Sequence, residues 1–278
     1  MEGTIVRPPP DLPELPEGAA PRWPAWYAGV GFLVALIGTL IAVGIVAAAT
    51  GAGGDGESDP AFTIIATLMQ SLIFVGTAVL FASFTRKPRA WHFGLRRAPF
   101  WRTIGWAALG MFSFYLLAAA YTALVSPDAE QTVAEDLGAD EGTFGLVAAG
   151  FMVICVAPFA EEFFFRGFFY KALRSRFSIL IAALIDGALF GIIHYDFSGA
   201  EALLILPPLG ALGFMFCLVY EKTGSLWPVI GLHAFNNAIA YGVAVEDASV
   251  SLILGPLMLV ACMLLPRLSS PTAPRAVA

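Results

Sequence analysis

The chain has 278 residues, of which 58% are hydrophobic and only 13% charged, and its formal net charge is −6. A soluble domain carries about 25% charged residues, so this composition excludes an ordinary soluble enzyme and points to a membrane protein. Cys155, Cys217 and Cys262 fall inside apolar runs with no CxxC spacing and read as small core residues.

Residues 1–24 hold seven prolines and several acids but few aliphatic residues. They read as a disordered cytoplasmic tail, because no apolar signal-peptide core precedes them. A membrane-spanning helix needs about 20 mostly apolar residues. The runs that qualify are Trp26–Thr50, Ala61–Phe84, Trp101–Val125, Phe144–Tyr170, Ser178–Tyr195, Ala202–Tyr220, Trp227–Val245 and Ser251–Pro266. The expected fold is therefore all-α, a polytopic bundle of about eight transmembrane helices. The fourth run is long enough to project past the bilayer, and Pro207–Pro208 should kink or break the sixth. One membrane domain over 25–268 accounts for the rest of the chain, and 269–278 read as a second disordered tail.

Charges in the connections set the orientation. Arg86, Lys87, Arg89, Arg96, Arg97 and Arg102 lie between the second and third runs, and Arg166, Lys171, Arg174 and Arg176 around the join of the fourth and fifth. Lys222 follows the sixth run, and Arg267 and Arg275 follow the eighth. The alternate connections carry Asp55, Glu57 and Asp59, then Asp128, Glu130, Glu135, Asp136, Asp140 and Glu141, then Asp196 and Glu201, then Glu246 and Asp247, with no lysine or arginine. By the positive-inside rule both termini are cytoplasmic. The basic loops read as topology signals and anionic-lipid contacts, and no nucleic-acid partner is expected.

The polar residues inside the spans are the candidates for chemistry. A carboxylate at bilayer depth costs a few kcal/mol on insertion scales, yet Glu161 and Glu162 stand side by side in FGLVAAGFMVICVAPFAEEFFFRGFFY. Glu162 and Arg166 are four residues apart and share a helical face, whereas Glu161 is turned about 100° away. One glutamate is thus answered by arginine, and the other, flanked by phenylalanine in low dielectric, is a candidate general base with His194. His194 lies four residues after Phe190, and Asn237 four after His233, so each pair shares a face. His233 and Asn237 are candidate donors to an oxyanion. Asn236 points elsewhere and reads as a packing residue. His92, in a basic aromatic loop, reads as interfacial without a catalytic role. Taken singly, each polar residue is also explained by helix–helix hydrogen bonding, and proton relay or ion coordination would use similar groups.

EEFFFR at 161–166, LFGIIH at 189–194 and HAFNN at 233–237 match EExxxR, FxxxH and HxxxN motifs in order on successive parts of a polytopic chain. In this the sequence resembles the CPBP family, which joins the CAAX prenyl proteases to bacteriocin-processing and abortive-infection-like proteins. The resemblance covers a core at 144–245. It implies an intramembrane endopeptidase acting on a peptide or membrane-associated protein. It implies that Glu161 is the base, that His194 acts with it on water, and that His233 and Asn237 form the oxyanion site. Glu162, Arg166 and Phe190 fall on supporting positions. Asp186, four residues before Phe190, stands where the family usually has a small neutral polar residue, and it reads first as structural.

Family members are commonly labelled metalloproteases, and Glu161, His194 and His233 would be the ligands of a Zn²⁺ ion. No HExxH is present, however, and using Glu161 as a ligand would leave the site without a base, which favours a metal-independent glutamate/histidine mechanism. Ser198 and Ser225 lack the setting of a rhomboid-type serine, and Ala52-Gly53-Gly54-Asp55 misses the first glycine of an aspartyl GxGD motif. A catalytically silent scaffold or a transporter using the same polar cluster is the alternative. Against transport, the sequence has no pair of broken helices in repeated halves. Twelve arginines against three lysines, with abundant alanine and glycine, suggest a high-GC bacterial genome. That favours a bacterial plasma membrane, with substrate access from the cytoplasm or laterally, and argues against a prenylated substrate.

The topology is open to test with reporter fusions. A fluorescent protein at either terminus should fold and fluoresce, and alkaline phosphatase at either terminus should stay inactive. An active phosphatase at either end would overturn the orientation.

Overall fold

The computed structural model describes residues 23–51, 60–125, 133–195 and 199–269. Eight helices carry the fold among these residues: α1 (Trp26–Thr50), α2 (Pro60–Ser83), α3 (Phe100–Val125), α4 (Gly142–Arg174), α5 (Ile179–Ile192), α6 (Leu206–Thr223), α7 (Trp227–Ala244) and α8 (Gly255–Ser269). A 3₁₀ turn, Ala90–Phe93, precedes α3; a second, Glu201–Ile205, leads into α6; and a π turn, Val250–Leu254, leads into α8. The acidic residues expected in the connections at Asp55, Glu57, Asp59, Asp128, Glu130 and Asp196 lie outside the described residues, as do most of the two tails. Trp23, assigned from sequence to the first tail, is buried against Phe93 and Phe168.

The chain is a polytopic helical membrane bundle. Its apolar residues face outward in numbers that water would not tolerate: Leu33, Ile37, Leu40 and Ile41 on α1, and Leu109, Phe112 and Leu116 on α3, are all exposed. The buried charges lie inside, on α4 and α5. Of the eight expected spans, five helical stretches are long and apolar enough to cross a membrane by length and composition: α1, α2, α3, α4 and Glu201–Thr223. The helix α5 and the stretch Val250–Leu264 are shorter apolar helices. The difference matters most at α5, where the expected Ser178–Tyr195 helix stops at Ile192 and leaves His194 in a turn.

At 33 residues α4 is the longest element, about 50 Å at the α-helical rise. It packs against α1, α2, α5, α6 and α7. Two π turns interrupt it, Met152–Val156 and Phe165–Tyr170. The first has a local cause. Pro158 has no N–H and crowds the carbonyl of Ile154 one turn earlier, and the ladder relaxes by one residue so that Ala157 N–H donates to Met152 O. The double proline acts differently. Pro207 and Pro208 occupy the opening of α6 and do not kink it, because the first turn has no intrahelical use for their missing N–H groups. The expected break in the sixth helix is thus a helix start.

The contact of α5 with α6 is a backbone approach. A Cβ on Gly187 would lie 2.5 Å from Gly210 O and 2.7 Å from Phe214 N, and one on Gly191 would lie 2.8 Å from Leu206 O. Around α4 the core is aromatic: Phe164 stacks on Phe74, and Phe163 on Phe93. The 3₁₀ turn before α3 places His92 in the interior at 1% exposure, deeper than the interfacial position expected from sequence. Arg89 N–H donates to its Nδ1 at 3.1 Å, and Lys171 Nζ donates to its carbonyl. Burial, then the cations Arg86, Lys171 and Arg89, push the imidazole down to about 4, so His92 is neutral near pH 7.

Replacing Gly187 by alanine should force α5 away from α6 and lower stability by about 1–3 kcal/mol, the cost of overpacking. Gly76, whose Cβ would meet nothing within 4 Å, should accept alanine without loss. Thermal unfolding of the two variants in detergent compares them directly, and equal melting temperatures would contradict the backbone contact.

Candidate active site

Glu162 and Arg166 are both wholly buried on α4, one helical turn apart, with Arg166 Nη1 donating to Glu162 Oε1 at 2.8 Å. The guanidinium also donates from Nη2 to Gly213 O of α6 at 2.9 Å. Its Nε lies 3.4 Å from Asp186 Oδ1 of α5, an ion pair without hydrogen-bond geometry. The ring of Phe190 lies 4.4 Å from its carbon, with Phe216 on the other helix at 5.2 Å. Gly213 is required here: a Cβ would sit 2.9 Å from Arg166 Nη2 and 3.0 Å from Phe190 Cβ. Asp186 is therefore structural in its placement, as expected, and it serves the arginine.

The other side of Glu162 reaches α7. His233 Nδ1 lies 2.8 Å from the same Oε1 that Arg166 holds. An ionised carboxylate oxygen only accepts, so Nδ1 carries the proton and Nε2 is turned away from Glu162. His194 is fixed in the same sense. Its Nδ1 is 2.7 Å from Phe190 O, and a carbonyl can only accept, so its Nε2 is the free nitrogen. Both Nε2 atoms face Glu161 Oε2 at 3.9 Å. Glu161 is buried but not sealed, and the His194 side chain is the most open of the three at 27%.

Proline at 158 also decides what Asn237 does. In the π turn the carbonyl of Val153 would be answered by residue 158, which has no N–H. Asn237 Nδ2 supplies the missing donor at 2.9 Å. One of its two amide hydrogens is thereby engaged, leaving one for any other acceptor. Asn236 accepts from Tyr115 of α3 at 3.2 Å, an inter-helix bond as its position implied.

The structure therefore brings Glu161, His194 and His233 to one point, with Glu162, Arg166, Asp186 and Phe190 behind them and Asn237 tied to the adjacent π turn. The Glu162–His233 bond, the Gly213 contact, Phe216 and the Val153 carbonyl were not read from sequence. The only sequence signal for the last was Pro158. No group of three or more His, Cys, Asp or Glu among the described residues is placed to hold a metal ion, so a metalloprotease-like ligand set is not supported. A metal bound by two ligands at about 2.1 Å in tetrahedral geometry would set them about 3.4 Å apart, closer than the 3.9 Å separations here.

Fold and polar centre together define a membrane protein with a glutamate/histidine cluster buried in its bundle. Residues 143–239 match the family model described as type II CAAX prenyl endopeptidase, Rce1-like, and this segment is of that family, as the motifs implied. The chain is 29% identical to "Uncharacterized protein YyaK" of Bacillus subtilis (strain 168) over 49% of its own length and 46% of that protein. It is 34% identical to "Putative membrane peptidase YdiL" of the same organism over 30% of its length and 31% of that protein. The chain thus spans less than half the length of these curated relatives. No solved structure matches it significantly.

Substituting Arg166 by alanine would leave Glu162 and Asp186 buried without their cation, and the bundle should lose about 3–5 kcal/mol. Asp186→Asn, which removes one of two carboxylates facing a single arginine, should cost clearly less. Melting temperatures in detergent rank the pair, and the reverse order would refute the arginine-centred cluster.

Proposed function

We propose that the protein is an intramembrane endopeptidase that uses Glu161 and His194 to activate water. The observation that carries this reading is the placement of Glu161 Oε2 3.9 Å from the Nε2 atoms of both His194 and His233. That gap is too long for direct hydrogen bonds and suits one bridging water. Neutral His194 presents a lone pair, so a water can give one proton to Glu161 and the other to His194 while its oxygen lone pair stays free for attack. The oxygen bonds to the scissile carbonyl carbon and Glu161 takes the proton. When the C–N bond breaks, the proton passes to the leaving amine.

The tetrahedral oxyanion needs donors. Neutral His233 cannot donate from Nε2, because its proton is on Nδ1 toward Glu162. As imidazolium, with Glu162 as counter-ion, it can, which gives the second glutamate of the pair a supporting electrostatic role. The second amide hydrogen of Asn237 is the other donor. The substrate is a peptide segment of a membrane-associated or membrane protein, reaching the site from the cytoplasm or laterally from lipid. The Bacillus relatives and the arginine-rich composition support a bacterial plasma membrane.

Glu161→Ala should lower turnover by at least about 100-fold, and His194→Ala comparably, while both proteins still accumulate in the membrane. Proteomics of N-termini in membranes holding wild type or Glu161→Ala should show termini present only with the wild type. Treatment with chelators should leave cleavage unchanged. If both variants retain full cellular function, the scaffold reading takes over.

A further inference from the structure

At the basic end of the bundle, away from the glutamate cluster, a shallow cleft is lined by Arg97, Phe100, Thr103, Ser225, Trp227 and Arg267 among others, with no acidic residue in its wall. Its empty volume is about 260 Å³, mouth included. We infer that this cleft binds the phosphate of an anionic phospholipid headgroup. Neither the peptidase reading nor its residues are needed for this.

Four observations converge. Two helices begin here, α3 at Phe100 and α7 at Trp227, so two positive dipole ends and their unpaired first-turn N–H groups meet at one place. Leu226, ahead of α7, offers no side-chain cap. The two arginines are held in place by backbone carbonyls: Arg97 Nε and Nη2 donate to Pro266 O and Arg267 O, and Arg267 Nη2 to Ala98 O. Those carbonyls orient the guanidinium groups without neutralising them. Thr103 is 3% exposed and its hydroxyl has no hydrogen-bond partner. A buried hydroxyl without an acceptor is costly, and a phosphate oxygen is the acceptor that this positively charged wall would admit.

The surroundings favour a lipid over a free anion. Trp101 is 80% exposed beside the cleft, Trp227 lines it, and Arg267 lies over the Phe100 ring at 5.0 Å. Aromatic rings beside cations mark the headgroup level of a membrane, and basic pockets between helices on the cytoplasmic side suit anionic headgroups.

The test uses the full chain in detergent, loaded with phosphatidylglycerol or phosphatidylcholine and read by native mass spectrometry and thermal unfolding. The wild type should retain phosphatidylglycerol in preference to phosphatidylcholine. Arg267→Gln should weaken that retention by about tenfold or more, the scale of a charged hydrogen bond. Thr103→Val should weaken it by about fivefold and, lipid-free, should melt no lower than wild type, because it removes an unpaired buried hydroxyl. Arg176→Gln, an exposed arginine outside the cleft, should change nothing. Equal retention of the two lipids, or Thr103→Val binding as wild type does, would overturn the site. Displacement of phosphatidylglycerol by inorganic phosphate alone would overturn the lipid assignment.

Discussion

A single buried guanidinium sets the constraint on which the rest depends. Arg166 is wholly buried in an apolar bundle, where an unpaired charge is costlier than any packing defect. It is met by Glu162 from its own helix, by the Gly213 carbonyl from α6, by the Asp186 carboxylate from α5 and by the faces of Phe190 and Phe216. Satisfying this one side chain fixes three helices relative to each other. Because Glu162 Oε1 also receives His233 Nδ1, the constraint extends to α7. The cluster is thus the frame against which Glu161 and the two free imidazole nitrogens are aimed.

A second constraint comes from helix irregularity. Proline at 158 shifts the ladder of α4 into a π turn and strips the Val153 carbonyl of its helical donor, and Asn237 answers it. A local backbone defect is in this way converted into a tie between α4 and α7, one turn from the paired glutamates. The same tie restricts Asn237, since only one amide hydrogen stays available to a substrate.

Depth is decided by length. An α5 of full span would carry His194 to the far face of the membrane, out of reach of a glutamate midway along α4. With 14 residues, α5 rises only about 21 Å, less than the roughly 30 Å of a hydrocarbon core. Its end is therefore still at depth, and His194 folds back in a turn with Nδ1 on the Phe190 carbonyl.

Much of this was legible in the sequence. Apolar runs and loop charges gave the helices in order, since a span must satisfy its backbone internally and leaves a long hydrophobic signature. The i,i+4 spacing gave the Glu162–Arg166 pair and separated Glu161 from it, because helical geometry is local. What lay beyond was non-local. No spacing rule connects Glu162 with His233, 71 residues on, or Arg166 with Gly213, and no propensity fixes where α5 stops. Those depend on which backbones can approach, and the glycines at 187, 191 and 213 permit it only in the folded bundle. By itself, then, the sequence determined a membrane bundle with two unequal glutamates. Only the tertiary structure decided which nitrogen each histidine turns toward Glu161, because that choice is made by hydrogen bonds from other helices.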